Sequence, residues 1–267
     1  MFDLSQGFVH LWFAEPGEWR EEIVVAEAFN ILSADEVARM ELLRFREDQH
    51  LYGISHWLVR TALSHYEGRP PGAWRFVAND YGKPLVDPAQ GPSLLTFSLA
   101  HTRGLAVVAI TKGAAVGVDV ERTDRLVDAP GLVRRFFAEE EIQALGKLPP
   151  EALNDRFFLH WTLKEAGLKA LGAGLSLPLS TFAFCLSEGR PRRVSLFGPE
   201  PPRKAQWQWA ALTPRPRYMT ALGVAGTPGE TLTIRGYRAT PSGKAEPLAC
   251  EPIALSEGIR YQPAAGA

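Results

Sequence analysis

His56-Trp57-Leu58-Val59-Arg60 returns in the second half of the chain as His160-Trp161-Thr162-Leu163-Lys164. Each copy lies in a stretch with helical spacing of apolar residues, and each is followed by a strand-like run and then by Gly82-Lys83-Pro84 or Gly189-Arg190-Pro191. Helix, strand, turn and strands recurring in one order predict a duplicated α+β unit, that is, two similar lobes about a pseudo-twofold axis. The expected division is an N-terminal α+β lobe over 1–122, a C-terminal α+β lobe over 123–240, and a loosely structured tail over 241–267, where Pro, Gly and Ala accumulate.

Working outward, Phe8-Val9-His10-Leu11-Trp12-Phe13-Ala14 reads as a first strand. Ser33 followed by Glu36 forms a capping box, and the apolar period from Val37 to Leu63 predicts helix to about Tyr66, broken once. Further strands are expected at 74–78, 94–99, 106–110 and 115–121, with a turn at Asn79 to Pro84. The second half reads as helices over 136–145 and 155–171, then strands at 181–186, 207–212, 218–224 and 231–237.

Composition narrows the function. A chain of 267 residues with 46% hydrophobic and 22% charged residues folds around a sizeable core. With 29 basic and 30 acidic residues, no global field attracts nucleic acid or an anionic membrane, so any anion site is local. Cys185 and Cys250 lack the number and pattern of a disulfide framework or zinc cage, and read as isolated thiols. The N-terminus lacks the basic start of a signal peptide and no apolar run is long enough to span a bilayer, so a cytoplasmic protein is expected, and a monomer because two lobes already supply both sides of a cleft within one chain.

The sequence has no Walker loop, no Gly-x-Gly-x-x-Gly, no His-Glu-x-x-His and no Gly-x-Ser-x-Gly. Gly117-Val118-Asp119-Val120-Glu121 is more informative, because residues two apart on a strand share a face and two carboxylates there repel without a cation between them. The plain alternative is a solvent-facing strand edge. In Trp161-Thr162-Leu163-Lys164-Glu165-Ala166-Gly167-Leu168-Lys169, residues 161, 165 and 169 share one helix face. Here the plain alternative is an ordinary Glu-Lys pair in water, and spacing alone does not reject it.

Taken together, Tyr81-Gly82-Lys83-Pro84, Gly117 to Glu121, Trp161 to Lys169 and Gly174-Leu175-Ser176-Leu177-Pro178-Leu179 resemble the surfactin-synthetase type of 4'-phosphopantetheinyl transferase, over roughly residues 8 to 225. That resemblance implies two α+β lobes in one chain, a pseudo-dimer with the active site between them. It also implies transfer of the phosphopantetheine arm of coenzyme A to a serine of an apo acyl, peptidyl or aryl carrier protein, serving fatty-acid, polyketide or nonribosomal peptide synthesis. By the same resemblance Asp119, Glu121 and Glu165 would hold Mg²⁺, and Glu165, Lys169 and His101 would be catalytic. Arg39, Lys83, Pro84, His101, Thr102 and Lys169 would bind the coenzyme, with Lys83 and Arg39 at its 3'-phosphate end.

Two positions depart from the family pattern. Leu51 stands where an arginine is usual, leaving His50 or Arg60 to supply the contact, and Ala100 stands where a serine precedes the histidine. Arg134, Arg135 and Phe136 are expected to form part of the docking surface for an acidic carrier. Two other readings use the same residues: a metal-dependent phosphoesterase, which would consume coenzyme A without a carrier, and a silent carrier-binding module, which would be expected to have lost an acid or the lysine.

Overall fold

The computed structural model describes residues 2, 4–19, 22–197, 205–226 and 229–264. In chain order the first half carries β1 (Phe8–Ala14), α1 (Glu22–Phe29), α2 (Ala34–Glu41), α3 (Arg46–Glu67), β2 (Phe76–Ala78), β3 (Pro84–Val86), β4 (Leu95–Thr102) and β5 (Leu105–Lys112). The second half opens inside the expected N-terminal lobe of 1–122, with β6 (Ala115–Arg122), and continues with α4 (Ala129–Phe136), α5 (Glu139–Leu145), α6 (Pro150–Leu171), β7 (Ala183–Leu186), β8 (Arg192–Phe197), β9 (Gln206–Thr213) and β10 (Tyr218–Gly226), the strand with which β6 pairs in a second sheet. The repeat is therefore structural: α3 and α6 are both 22 residues long, carry His-Trp at the same depth, and end on left-handed glycines, Gly68 and Gly172.

Alternation sorts the strands into layers. On β1, Trp12 and Ala14 pack on α3 with Ile54, Trp57 and Leu58, while Val9, Leu11 and Phe13 meet Val116, Val118, Leu222 and Val224 of the other lobe. On the far side Leu159, Leu163 and Ala166 of α6 pack on Trp209, Ala211 and Ala221. The result is four layers, α3, a sheet, a second sheet and α6, with an apolar seam between the sheets.

Several expectations are corrected. The helix expected over 136–145 is two, because Phe137 is extended and stacks its buried ring on Phe157 at 5.9 Å, breaking α4 from α5. The second long helix starts five residues early, at Pro150, where a missing N–H costs nothing. Strand β8 was hidden by its charged opening, Arg192-Arg193.

The largest correction concerns the C-terminus. Residues beyond 240 are not a loose tail: β11 (Leu232–Ala239) runs parallel to β1 in the first sheet, and β12 (Ala245–Pro247) and β14 (Ile259–Tyr261) line its outer edge. Between them β13 (Glu251–Leu255) is inserted into the second sheet, whose order is β6-β10-β9-β13-β8-β7. The glycines that suggested looseness sit at turns, Gly243 and Gly258 with positive φ, and Pro252 lies at a register shift where a ladder N–H is dispensable.

A buried ion pair recurs in both lobes. Glu36 of the capped helix α2 meets Arg60 at 2.7 Å, and Glu141 of α5 meets Lys164 at 2.6 Å. Burial alone would raise the Glu36 carboxyl, but His56, the Ser33 amide and Arg60 together hold it at about 2, against an ordinary 4.5. A depressed carboxylate stabilises the fold above its unfolded pKa and loses that contribution as pH falls through its folded one. We expect the ionised Glu36 carboxyl, with His56, the Ser33 amide and Arg60 together, to contribute on the order of 2–3 kcal/mol at neutral pH, lost between about pH 4.5 and 2. Urea titrations across that interval should show a shallower pH dependence for Glu36→Gln than for the parent chain.

Candidate functional site

β6 supplies the acids. Val116, Val118 and Val120 point into the seam between the sheets, so Gly117, Asp119 and Glu121 turn toward α6. Gly117 lets the helix come down onto the strand: a Cβ there would lie 2.0 Å from the Ala166 carbonyl oxygen and 2.3 Å from the Ala170 nitrogen. Between residues 157 and 170 of α6, every position is buried except Trp161, Glu165 and Lys169, which are half-buried. That stripe opens on a cleft, not on bulk solvent, so the ordinary surface-pair reading fails.

The charges in the cleft are unbalanced. Lys169 Nζ donates to Asp119 Oδ1 at 2.7 Å, while Asp119 Oδ2 is buried without a hydrogen-bond partner. Burial and the neighbouring Asp119 charge raise the Glu121 carboxyl to about 7, although Arg125 reaches it at 2.8 Å. Glu165 is raised too, by burial first and Asp119 second. Two raised carboxyls, Glu121 and Glu165, crowded against the Asp119 carboxylate and its orphaned oxygen, are what a cation would relieve. Among the described residues no three His, Cys, Asp or Glu side chains already close into a coordination cage. An open set suits Mg²⁺, which keeps several waters and leaves places for substrate phosphate oxygens.

A cavity of about 280 Å³ lies against this stripe, lined by Glu165, Leu168 and Lys169 on one side and by Tyr81, Phe97 and Leu99 on the other. Through Gly82, Pro84, Phe97 and Leu99 it continues into a larger one of about 670 Å³ that ends at Arg39, Tyr52, His56 and Arg75. Pro84 thus borders both chambers, and Arg39 stands exposed at the far end. Tyr52 and Arg75 carry no motif, and His56 is marked in the sequence only as part of the helix repeat; the three line one chamber through the fold alone. His101 is exposed on β4, with Thr102 half-buried beside it. Desolvation by the surrounding protein, followed by Lys169 and His56, lowers its imidazole from the ordinary value, although His101 lines neither chamber.

Other expected contacts are placed differently. Lys83 does not turn its ammonium toward Arg39; it donates to the Lys169 and Val116 carbonyls at 2.7 and 2.9 Å. Arg60 is 1% exposed and committed to Glu36 and to the Pro71 and Trp74 carbonyls, and His50 bonds the Pro16 carbonyl at 2.9 Å, so neither substitutes for the arginine missing at Leu51. Ala100 faces the apolar seam, where a hydroxyl would have to be desolvated. Lys164, inside the helix motif, is structural: fully buried, it pairs with Glu141 and donates to the Leu179 carbonyl at 3.1 Å and to that of Phe182.

Residues 115–221 match the family model of the 4'-phosphopantetheinyl transferase superfamily. Over 221 residues the chain is 30% identical to the 4'-phosphopantetheinyl transferase HetI of Nostoc sp., covering 82% of this chain and 88% of that protein. It is 32% identical to the 4'-phosphopantetheinyl transferase psf-1 of Bacillus pumilus over 69% of this chain and 80% of the relative. For the 4'-phosphopantetheinyl transferase Sfp of Bacillus subtilis the identity is 30%, over 54% and 61%.

Proposed function

The chain belongs to the 4'-phosphopantetheinyl transferase superfamily, and on that premise we infer that it transfers the 4'-phosphopantetheine arm of coenzyme A to a serine of an apo carrier protein. The observation that carries the reading to these residues is the buried, unpartnered Asp119 Oδ2 facing the raised carboxyls of Glu121 and Glu165. Asp119, Glu121 and Glu165 would hold Mg²⁺, which when bound would neutralise charge on the diphosphate.

The serine Oγ attacks the phosphorus of the pantetheine-bearing phosphate. The new O–P bond forms as the bond to the bridging oxygen breaks, and adenosine 3',5'-bisphosphate leaves. Glu165, basic because it is crowded and desolvated, takes the hydroxyl proton. Lys169, anchored by Asp119, offers its charge to the diphosphate oxygens as negative charge builds on the leaving group. The mostly apolar chamber beside Leu168, Phe97 and Leu99 suits the pantetheine arm, and the chamber at Arg39, Tyr52 and Arg75 suits the nucleotide.

Incubation of an apo carrier with the enzyme, coenzyme A and Mg²⁺ is expected to add one phosphopantetheine to the carrier serine, read by mass spectrometry. Glu165→Gln should slow that addition by about 10²–10⁴-fold, the usual worth of a positioned proton acceptor. Loss of coenzyme A without a carrier would point to hydrolysis instead.

Carrier docking follows from the rim. Arg134 and Arg135 are exposed in the last turn of α4, and Phe136 sits edge-to-face on Trp161 at 6.0 Å, one end of the functional stripe. Leu126, fully exposed nearby in sequence, adds an apolar contact. Arg134→Glu should raise the KM for an acidic carrier several-fold with kcat little changed, and the difference should shrink with salt.

A further inference from the structure

The tip of the β2–β3 hairpin, built by the first lobe, is seated on the end of α6 in the second. Asn79 shapes that tip, its Oδ1 accepting the Tyr81 and Lys83 amides at 3.0 and 2.9 Å, and its Nδ2 donates to the Gly172 carbonyl at 2.8 Å. Lys83 Nζ then reaches the carbonyls of Lys169 at 2.7 Å and Val116 at 2.9 Å, with that of Ala170 at 3.5 Å. Lys169 and Ala170 lie in the last turn of α6, where carbonyls are short of helical partners, that of Lys169 accepting within the backbone only from the Gly172 amide at 3.2 Å, and the helix dipole presents its negative end. Val116 immediately precedes the glycine on which α6 rests. The fit is close: a Cβ on Gly172, at φ +66°, would stand 2.9 Å from Asn79 Nδ2 and 3.1 Å from Lys83 Cδ.

We propose that Lys83 is a positioning residue, a cationic clamp that locks the end of α6 to β6 and so fixes Glu165 and Lys169 against Asp119, and that it is not a ligand of the coenzyme's 3'-phosphate. The proposal rests on the transferase reading for its kinetic test. The same hairpin in the second repeat shows that the device is specific to this junction: its Gly-Arg-Pro turn presents Arg190 to Glu251 at 3.9 Å, on the exposed surface. A compact ammonium among backbone carbonyls also differs from the planar fork that suits a phosphate.

The test compares Lys83→Met and Lys83→Arg with the parent enzyme on coenzyme A and on its analogue lacking the 3'-phosphate. Both variants should lose about tenfold or more in kcat, as expected when reacting groups drift, with KM for coenzyme A changed by less than about threefold. The loss should be the same on both substrates, and arginine should not rescue it. A rise in KM that arginine rescues and that vanishes without the 3'-phosphate would overturn the proposal in favour of a phosphate contact, and unchanged kinetics would overturn it outright. Hydrogen exchange gives a readout that does not require turnover. The amides of Leu168 to Gly172 should exchange faster in Lys83→Met, and unchanged exchange there refutes the clamp even if the parent enzyme modifies no carrier tried. Failure of the parent enzyme to transfer, with faster exchange in the variant, would instead count against the transferase reading alone.

Discussion

Asp119→Asn is expected to lower kcat/KM by about 10³-fold or more, roughly 4 kcal/mol of transition-state stabilisation, while leaving the fold intact. The substitution keeps shape and an acceptor for Lys169 but removes the charge whose second oxygen has no protein partner. Two further readouts separate electrostatics from damage. Without Asp119 the Glu121 carboxyl should relax downward from about 7, because that charge is the main neighbour raising it. And the rise in Tm expected of the parent enzyme with Mg²⁺ and coenzyme A under the proposed function should largely disappear, since stabilisation by a ligand scales with its affinity for the folded state. A variant that kept both its Mg²⁺ response and its activity would remove Asp119 from the site.

Gly117→Val is the second large effect, and it acts through geometry. Valine is the better strand former, so propensity favours the change. Its Cβ, however, would sit 2.0 Å from a backbone oxygen and 2.3 Å from a backbone nitrogen of α6, and backbone cannot rotate aside. The helix must lift off the strand. Overpacking of this kind costs about 1–3 kcal/mol in stability, whereas displacing Glu165 and Lys169 by about 1 Å costs on the order of 10²-fold in rate. Melting curves beside steady-state kinetics should therefore show a folded protein whose activity has fallen far more than its stability.

The duplicated unit was legible in the sequence because its markers are local: a helix repeat and a Gly-x-Pro turn survive in both halves. The acids and lysine were legible for the same reason, since period two on β6 and period four on α6 place them on single faces. What required coordinates was anything fixed across the chain. Nothing in Thr231 to Tyr237 says that this strand pairs with β1 at the other end of the sequence. Lys83 looks the same in sequence whether it meets a phosphate or a helix end. The copies have also diverged where it matters. In the first lobe Trp12 stacks on His65 at 4.8 Å, at the places where Asp119 meets Lys169 in the second, so one half-site became packing while the other kept its charges.

The pairing of β11 with β1 has a consequence for how the molecule is made. Until the ribosome has delivered residues beyond 239, β1 can be flanked on only one side, by β5, and its other edge, in a strand whose residues from Val9 to Ala14 are all buried when complete, waits unpaired. An open apolar edge is a template for pairing with a second nascent chain. Synthesis of this protein thus carries a window of vulnerability that closes only once β11 has been made, and expression yield should respond to chaperone supply and translation speed more than the stability of the finished fold would suggest.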